Sequence, residues 1–216
     1  LKWTPKGTEW GEYYADTNYS DFSMDKKITI LDLLLDELKP HTLWDIGGNN
    51  GEFTRLASNK GIECLLFDID YAAIEKSFLK TRLENEKNIT SFVMDFTNPS
   101  PGIGWNNKER LSIIDRGPAE VVLALALIHH LCISNNLPFH YVADFFARIV
   151  SKSLIIEFVP KNDSQVQRLL KTRDDIFTNY NKEFFEAEFT KFFNIKKTIK
   201  VDNSERFLYL MQKRNS

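Results

Sequence analysis

The stretch Leu43-Trp44-Asp45-Ile46-Gly47-Gly48-Asn49-Asn50-Gly51-Glu52-Phe53 decides how this chain folds. An apolar run meets an aspartate, then a cluster of glycines and asparagines, then a helix-like segment through Leu56 and Ala57. The pattern is that of a buried strand, a turn with unusual backbone angles and a helix N-terminus. Glycine takes positive φ without a Cβ clash, and asparagine is the next most tolerant residue. Such a turn lays bare backbone against a ligand at the positive end of a helix.

Working outward, apolar runs alternate with helical patterns. Thr42–Ile46 reads as a strand and Glu52–Asn59 as a helix that Gly61 ends. Strands are expected at Ile62–Phe67 and Thr90–Met94, with a helix over Ala72–Asn85 between them. Ala119–Leu127 is a fourth strand, apolar after Glu120, as expected where both faces of a sheet are covered. A helix over Phe139–Val150 leads to a fifth strand, Ser153–Val159, and Val166–Leu170 and Glu183–Phe193 read as helices. Phe193–Val201 and Arg206–Gln212, joined by Asp202-Asn203-Ser204, form a late hairpin and hence an antiparallel edge. Between strands three and four runs a long irregular excursion, Phe96–Pro118, carrying Trp105 and Arg110. Upstream, Ser23 caps a helix that runs to Leu38, with apolar Ile28, Leu31, Leu34, Leu35 and Leu38, until Pro40 stops it. The chain divides into an N-terminal aromatic arm and helix, residues 1–40, and a main domain, residues 41–216. Trp10, Tyr14 and Tyr19 of the arm are candidates for a lid.

The composition is that of a soluble globular protein, 43% apolar and 27% charged. A net charge of −2 argues against an overall electrostatic grip on nucleic acid. Cys64 and Cys132 have no CxxC spacing, which favours a reducing, cytoplasmic setting over a disulfide framework. The longest apolar run, Val121–Ile128, is too short to span a bilayer, no signal-peptide pattern opens the chain, and no membrane association is expected. A first residue of Leu1 rather than Met suggests a trimmed chain or a piece of a longer protein.

A glycine turn after the first strand of such an alternation is a nucleotide-cofactor layout, with the site at the carboxyl ends of the strands. Asp45 precedes the turn. Asp68 ends the second strand, where an acid can accept ribose hydroxyls, and Asp95 ends the third, where a carboxylate can accept an adenine amino group. Dinucleotide binding wants Gly-x-Gly-x-x-Gly, but Asn49 and Glu52 stand at its second and third glycine positions.

Asp45-Ile46-Gly47-Gly48-Asn49-Asn50-Gly51 resembles the Asp-x-Gly-x-Gly-x-Gly first motif of class I S-adenosylmethionine-dependent methyltransferases. Phe67-Asp68-Ile69-Asp70 resembles that family's second motif and Met94-Asp95-Phe96 its third. Leu127-Ile128-His129-His130-Leu131 matches the histidine pair that many members carry after strand four. The resemblance covers residues 41–216 and implies an α/β fold with a doubly wound, mostly parallel, seven-stranded Rossmann-like sheet and an antiparallel C-terminal hairpin. It implies S-adenosyl-L-methionine as cofactor, with Asp68 on the ribose, Asp95 on the adenine, and Gly47, Asn49 and Gly51 beside the methionine part. Asp45, Phe53, Ile69, Phe96 and Leu125 complete the implied cofactor site. Asn49 departs from the motif's middle glycine, and asparagine can supply positive φ there. Asn98 to Arg110, Leu123 to Pro138 and Ile155 to Leu170 also resemble a bacterial subgroup in which some members are described as nodulation proteins and an additional N-terminal region is usual.

Asn98-Pro99-Ser100-Pro101 looks like the amino-methyltransferase motif, but it follows strand three rather than strand four, so no role is taken from it. Adjacent His129 and His130 diverge by about 100° in a helix, and no metal site is expected with Cys132 or His140. His129, expected to face the pocket, and Glu157, ending strand five, are the candidate general bases. The expected function is methyl transfer to a small-molecule acceptor rather than to nucleic acid. The alternatives are a methyltransferase-fold binding protein without catalysis, and an RNA methyltransferase using Lys191, Lys196, Lys197 and Lys200.

Overall fold

The computed structural model describes residues 8, 21–171, 173–202 and 204–214. The lid candidates Trp10, Tyr14 and Tyr19 lie outside them. Seven strands form one sheet: β1 (Thr42–Ile46), β2 (Glu63–Asp68), β3 (Ile89–Val93), β4 (Ala119–Ala124), β5 (Val150–Phe158), β6 (Phe193–Lys200) and β7 (Phe207–Lys213). Their spatial order is β3-β2-β1-β4-β5-β7-β6. The first five run parallel, and β7 is antiparallel to both β5 and β6. The doubly wound, mostly parallel sheet read from the sequence is therefore the observed one. The strand order reverses between β1 and β4, and the crevice outside their carboxyl ends is where such sheets bind ligands.

Helices cover both faces. They are α1 (Asp21–Leu38), α2 (Glu52–Ser58), α3 (Tyr71–Leu83), α4 (Ile113–Arg116), α5 (Phe139–Ile149), α6 (Ser164–Leu170) and α7 (Lys182–Phe189). On one side Leu31, Leu34 and Leu35 of α1 and Phe53 of α2 pack on Leu43, Val121, Leu123 and Ile155. On the other, Phe146 of α5 and Phe185 and Phe189 of α7 pack with Trp44, Val122, Ile156 and Tyr209. Each such side chain contributes about 1.5–3 kcal/mol by leaving water.

Three local features differ from the sequence reading. β4 stops at Ala124 rather than Leu127, because Ala126 adopts left-handed backbone (φ 49) that no strand continues. The excursion after β3 contains a 3₁₀ turn, Trp105–Asn107, and α4, whose Ser112 and Asp115 form a reciprocal capping box. On α1, Ile28 is partly exposed while Lys27 is buried. The apolar stripe thus admits a cation, which pairs with the buried Glu157 of β5.

Candidate functional site

The turn after β1 is built as the glycine–asparagine pattern requires. Gly47, Asn49 and Gly51 have φ of 75, 52 and 87, so Asn49 takes the left-handed conformation expected of it. The amide of Gly47 donates to the Phe67 carbonyl at 2.8 Å, and that of Asn49 to Asp68 Oδ2 at 2.8 Å. Gly51 is the N-cap of α2. Arg55 of α2 reaches back with Nη1 2.6 Å from the Asn50 carbonyl and pairs with Glu86 at 3.0 Å, which fixes the turn from behind.

The three strand-end acids are held differently. Asp45 is buried and accepts the Thr54 hydroxyl at 2.6 Å. Burial pushes its carboxyl up to about 6, against the opposing pull of that hydroxyl. Asp68 takes the amides of Asn49 and Asp70, both at 2.8 Å, and burial outweighs them to raise its pKa. Those two bonds leave acceptor capacity on a carboxylate with about four lone-pair positions. Asp95 accepts the amide and hydroxyl of Thr97 at 2.8 and 2.7 Å. Asp70 caps α3 and also receives the Thr8 hydroxyl at 2.9 Å, so one point of the N-terminal arm touches the rim of this site.

These elements enclose a cavity of about 300 Å³. Asp45, Gly47, Asn49, Phe53, Asp68, Ile69, Asp95, Phe96 and Leu125 all line it, and Gly51 stands one layer back as the helix cap. The two candidate bases stand elsewhere. Glu157 is fully buried: Oε2 accepts Lys27 Nζ and the Ala126 amide, both at 2.7 Å, and Oε1 lies 3.9 Å from Arg206 Nη1. A carboxylate committed in this way inside the protein is not placed to take a proton from a ligand. His129 is also buried and off the cavity wall, and its neighbour His130 lines the wall instead. The reason is local. Residues 130–134 form a π-helical turn, which rotates the pair relative to the helix assumed from sequence.

Sequence reasoning missed several wall residues: Gly48, Ala126, His130, Ser134 and Asn135, and Met24 and Lys27 from α1. For Gly48 the signal was present, since it belongs to the same turn. For Lys27 none was, because a lysine on an amphipathic helix ordinarily marks a solvated face. Burial, with the Arg206 charge, pulls His130 down to about 4, and burial together with the charges of His130, Arg206 and Lys27 holds His129 well below its usual range. Both rings are therefore neutral at pH 7. Among the described residues no group of three His, Cys, Asp or Glu could hold a metal ion, and no helix is long and apolar enough to cross a membrane.

A stability consequence follows for His130. The unfolded chain protonates this ring near 6.5 and the folded chain only near 4. The unfolded state thus binds more protons between these values, and stability is lost as the pH falls through this window. His130→Gln should remove up to about 3 kcal/mol of that loss. Urea melts at pH 7 and pH 4 measure it, and an unchanged pH slope would show that His130 does not titrate as described.

No family model matches the chain. It is 34% identical over 209 residues to nodulation protein NoeA of Rhizobium meliloti (strain 1021), a match that covers 96% of this chain and 44% of that protein. The chain thus spans less than half the length of this curated relative. Its fold matches the N-methyltransferase NodS of Bradyrhizobium japonicum WM9 (TM-score 0.63, 12% identity, 91% and 99% of the two chains). It also matches the magnesium protoporphyrin IX methyltransferase ChlM of Synechocystis PCC 6803 with bound SAH (TM-score 0.64, 14% identity, 95% and 93%). The fold of this chain is therefore the one found in these S-adenosylmethionine-dependent methyltransferases.

Proposed function

We propose that this chain binds S-adenosyl-L-methionine in the cavity at the β1–β4 crevice and transfers its methyl group to a small-molecule acceptor. The observation that carries this is the charge of the wall. Asp45, Asp68 and Asp95 line it, and Lys27, the one lysine of the wall among the described residues, is already ion-paired to Glu157. Such a wall suits a ligand carrying a sulfonium and an ammonium and repels the phosphates of a nucleotide.

The residues fit the cofactor part by part. Asp68 takes the ribose hydroxyls, Asp95 with Ile69 and Phe96 holds the adenine, and the bare backbone of Gly47 to Asn49 faces the methionine part. The close approach is enforced: a Cβ on Gly48 would stand 2.6 Å from the Asp45 carboxyl carbon. When bound, the cofactor supplies an activated methyl group, so the protein's task is to align the acceptor and exclude water.

Beyond the cofactor, Met24, Leu127, Leu131 and Leu169 give apolar wall, with His130, Ser134 and Asn135 as the polar groups. This favours an acceptor with an apolar body and a hydroxyl or amine. His130, neutral at pH 7, is placed to accept that group's proton. Against an RNA acceptor, three of the C-terminal lysines already pair with acids: Lys191 with Glu188, Lys197 with Glu37 and Lys200 with Glu205. On the edge strand β6 such lysines guard against association. The two buried, free cysteines suit a reducing cytoplasm.

Isothermal titration with S-adenosylmethionine and S-adenosylhomocysteine tests the reading. Both should bind in the micromolar range, roughly −8 kcal/mol. A folded sample that takes up neither would sink it.

A further inference from the structure

Glu157 is excluded from proton transfer by its burial, yet among its partners are three described residues, each tied to a different wall of the cavity. Lys27 brings α1, which also contributes Met24 to the wall. The Ala126 amide brings the segment after β4. Arg206, just before β7, stands 3.9 Å from Glu157 and grips Asp163 through Nε at 2.7 Å and Nη2 at 3.0 Å. Asp163 is the N-cap of α6, which places Leu169 on the wall. The formal charges of Lys27, Arg206, Glu157 and Asp163 balance.

The middle partner is the informative one. Ala126 is in left-handed backbone, where an alanine Cβ meets a steric penalty that glycine escapes. Something must hold it there, and the carboxylate on its amide is that constraint. The next residue, Leu127, packs on the cofactor turn, since a Cβ on Gly47 would lie 3.1 Å from Leu127 Cδ1. The Leu127 carbonyl in turn accepts the His130 amide at 2.9 Å.

We propose that Glu157 is a positioning residue: by holding Ala126 in left-handed backbone it sets where Leu127 meets the cofactor turn and where His130 stands in the cavity. Its relevance to methyl transfer rests on the function proposed above, but the positioning itself is measurable without any ligand.

In the ligand-free protein, amide exchange of Ala126 should be slow and should speed up at least about tenfold in Glu157→Met, which leaves the amide without its acceptor. Affinity for S-adenosylhomocysteine should fall at least about tenfold in the same variant. Glu157→Gln, which keeps an acceptor oxygen, should lose less. Adding Ala126→Gly to Glu157→Met should recover affinity about threefold or more, because glycine adopts the backbone without being held. A merely structural Glu157 predicts no such recovery. Should Glu157→Met fail to fold, Lys27→Met with Glu157→Met removes the buried charges as a pair and leaves the Ala126 amide in the same condition. Unchanged exchange at Ala126, or a glycine that restores nothing, overturns the proposal. If the wild-type protein binds no S-adenosylhomocysteine, the cofactor reading fails, and the exchange at Ala126 still decides whether Glu157 positions it.

Discussion

Asp68→Ala is expected to weaken S-adenosylmethionine binding by roughly a hundredfold or more. The ribose would lose the hydrogen bonds proposed for this carboxylate, each worth about 1.5–3 kcal/mol when one partner is charged. The substitution would also release the Asn49 amide, which the carboxylate now holds at 2.8 Å, so the turn loses an anchor together with the ligand. Asp68→Asn should fall between wild type and alanine, since one acceptor oxygen survives but the new amide group opposes one of the backbone donors, Asn49 or Asp70. Titration calorimetry reads all three proteins. Unchanged affinity in the alanine variant would mean that the ribose does not lie on Asp68.

The second large effect belongs to Gly48→Ala. The added carbon would come within 2.4 Å of Leu66 Cδ1 and 2.6 Å of the Asp45 carboxyl. Neither can yield cheaply, because Leu66 is fully buried in the sheet and Asp45 is bonded to Thr54. Overpacking of this kind costs about 1–3 kcal/mol, or about 2–12 °C in melting temperature for a domain of this size. Because Asp45 lines the cavity beside the turn, cofactor affinity should drop about tenfold as well. Gly61→Ala is the control: nothing lies within 4 Å of its would-be Cβ, and only its φ of +82 penalises the change. It should lower stability modestly and leave affinity alone. A Gly48→Ala protein that melts and binds like wild type would show that the turn has room to spare.

The fold and the part of the cavity wall built by the glycine turn and the strand-end acids were legible because their signals are local. A strand followed by Gly, Asn and Gly at fixed spacing, and an acid at the end of each of three strands, can be read from a short window of residues. Asn49 carries its own explanation, as one of the few residues that accept the angle it adopts. The other half of the cavity depends on facts that no window contains. Whether His129 or His130 faces the cavity turns on one residue of helical phase, and the π-helical turn at 130–134 sets that phase. Glu157 looks like a site carboxylate because it lies next to the last residue of β5, at the correct edge of the sheet. Only packing reveals that Lys27, 130 positions earlier, and Arg206, on the approach to β7, have already claimed it.

The Lys27–Glu157 pair also bears on how such a sequence can change over generations. Either residue replaced alone unbalances a buried cluster of charges, and removing one partner of such a pair costs about 3–5 kcal/mol, whereas replacing both by apolar residues of similar volume is often neutral. These two positions, one in the first helix and one in the fifth strand, therefore form a single heritable unit. Lineages of this chain should keep both charges or lose both, and the first helix cannot diverge independently of the strand it neutralises.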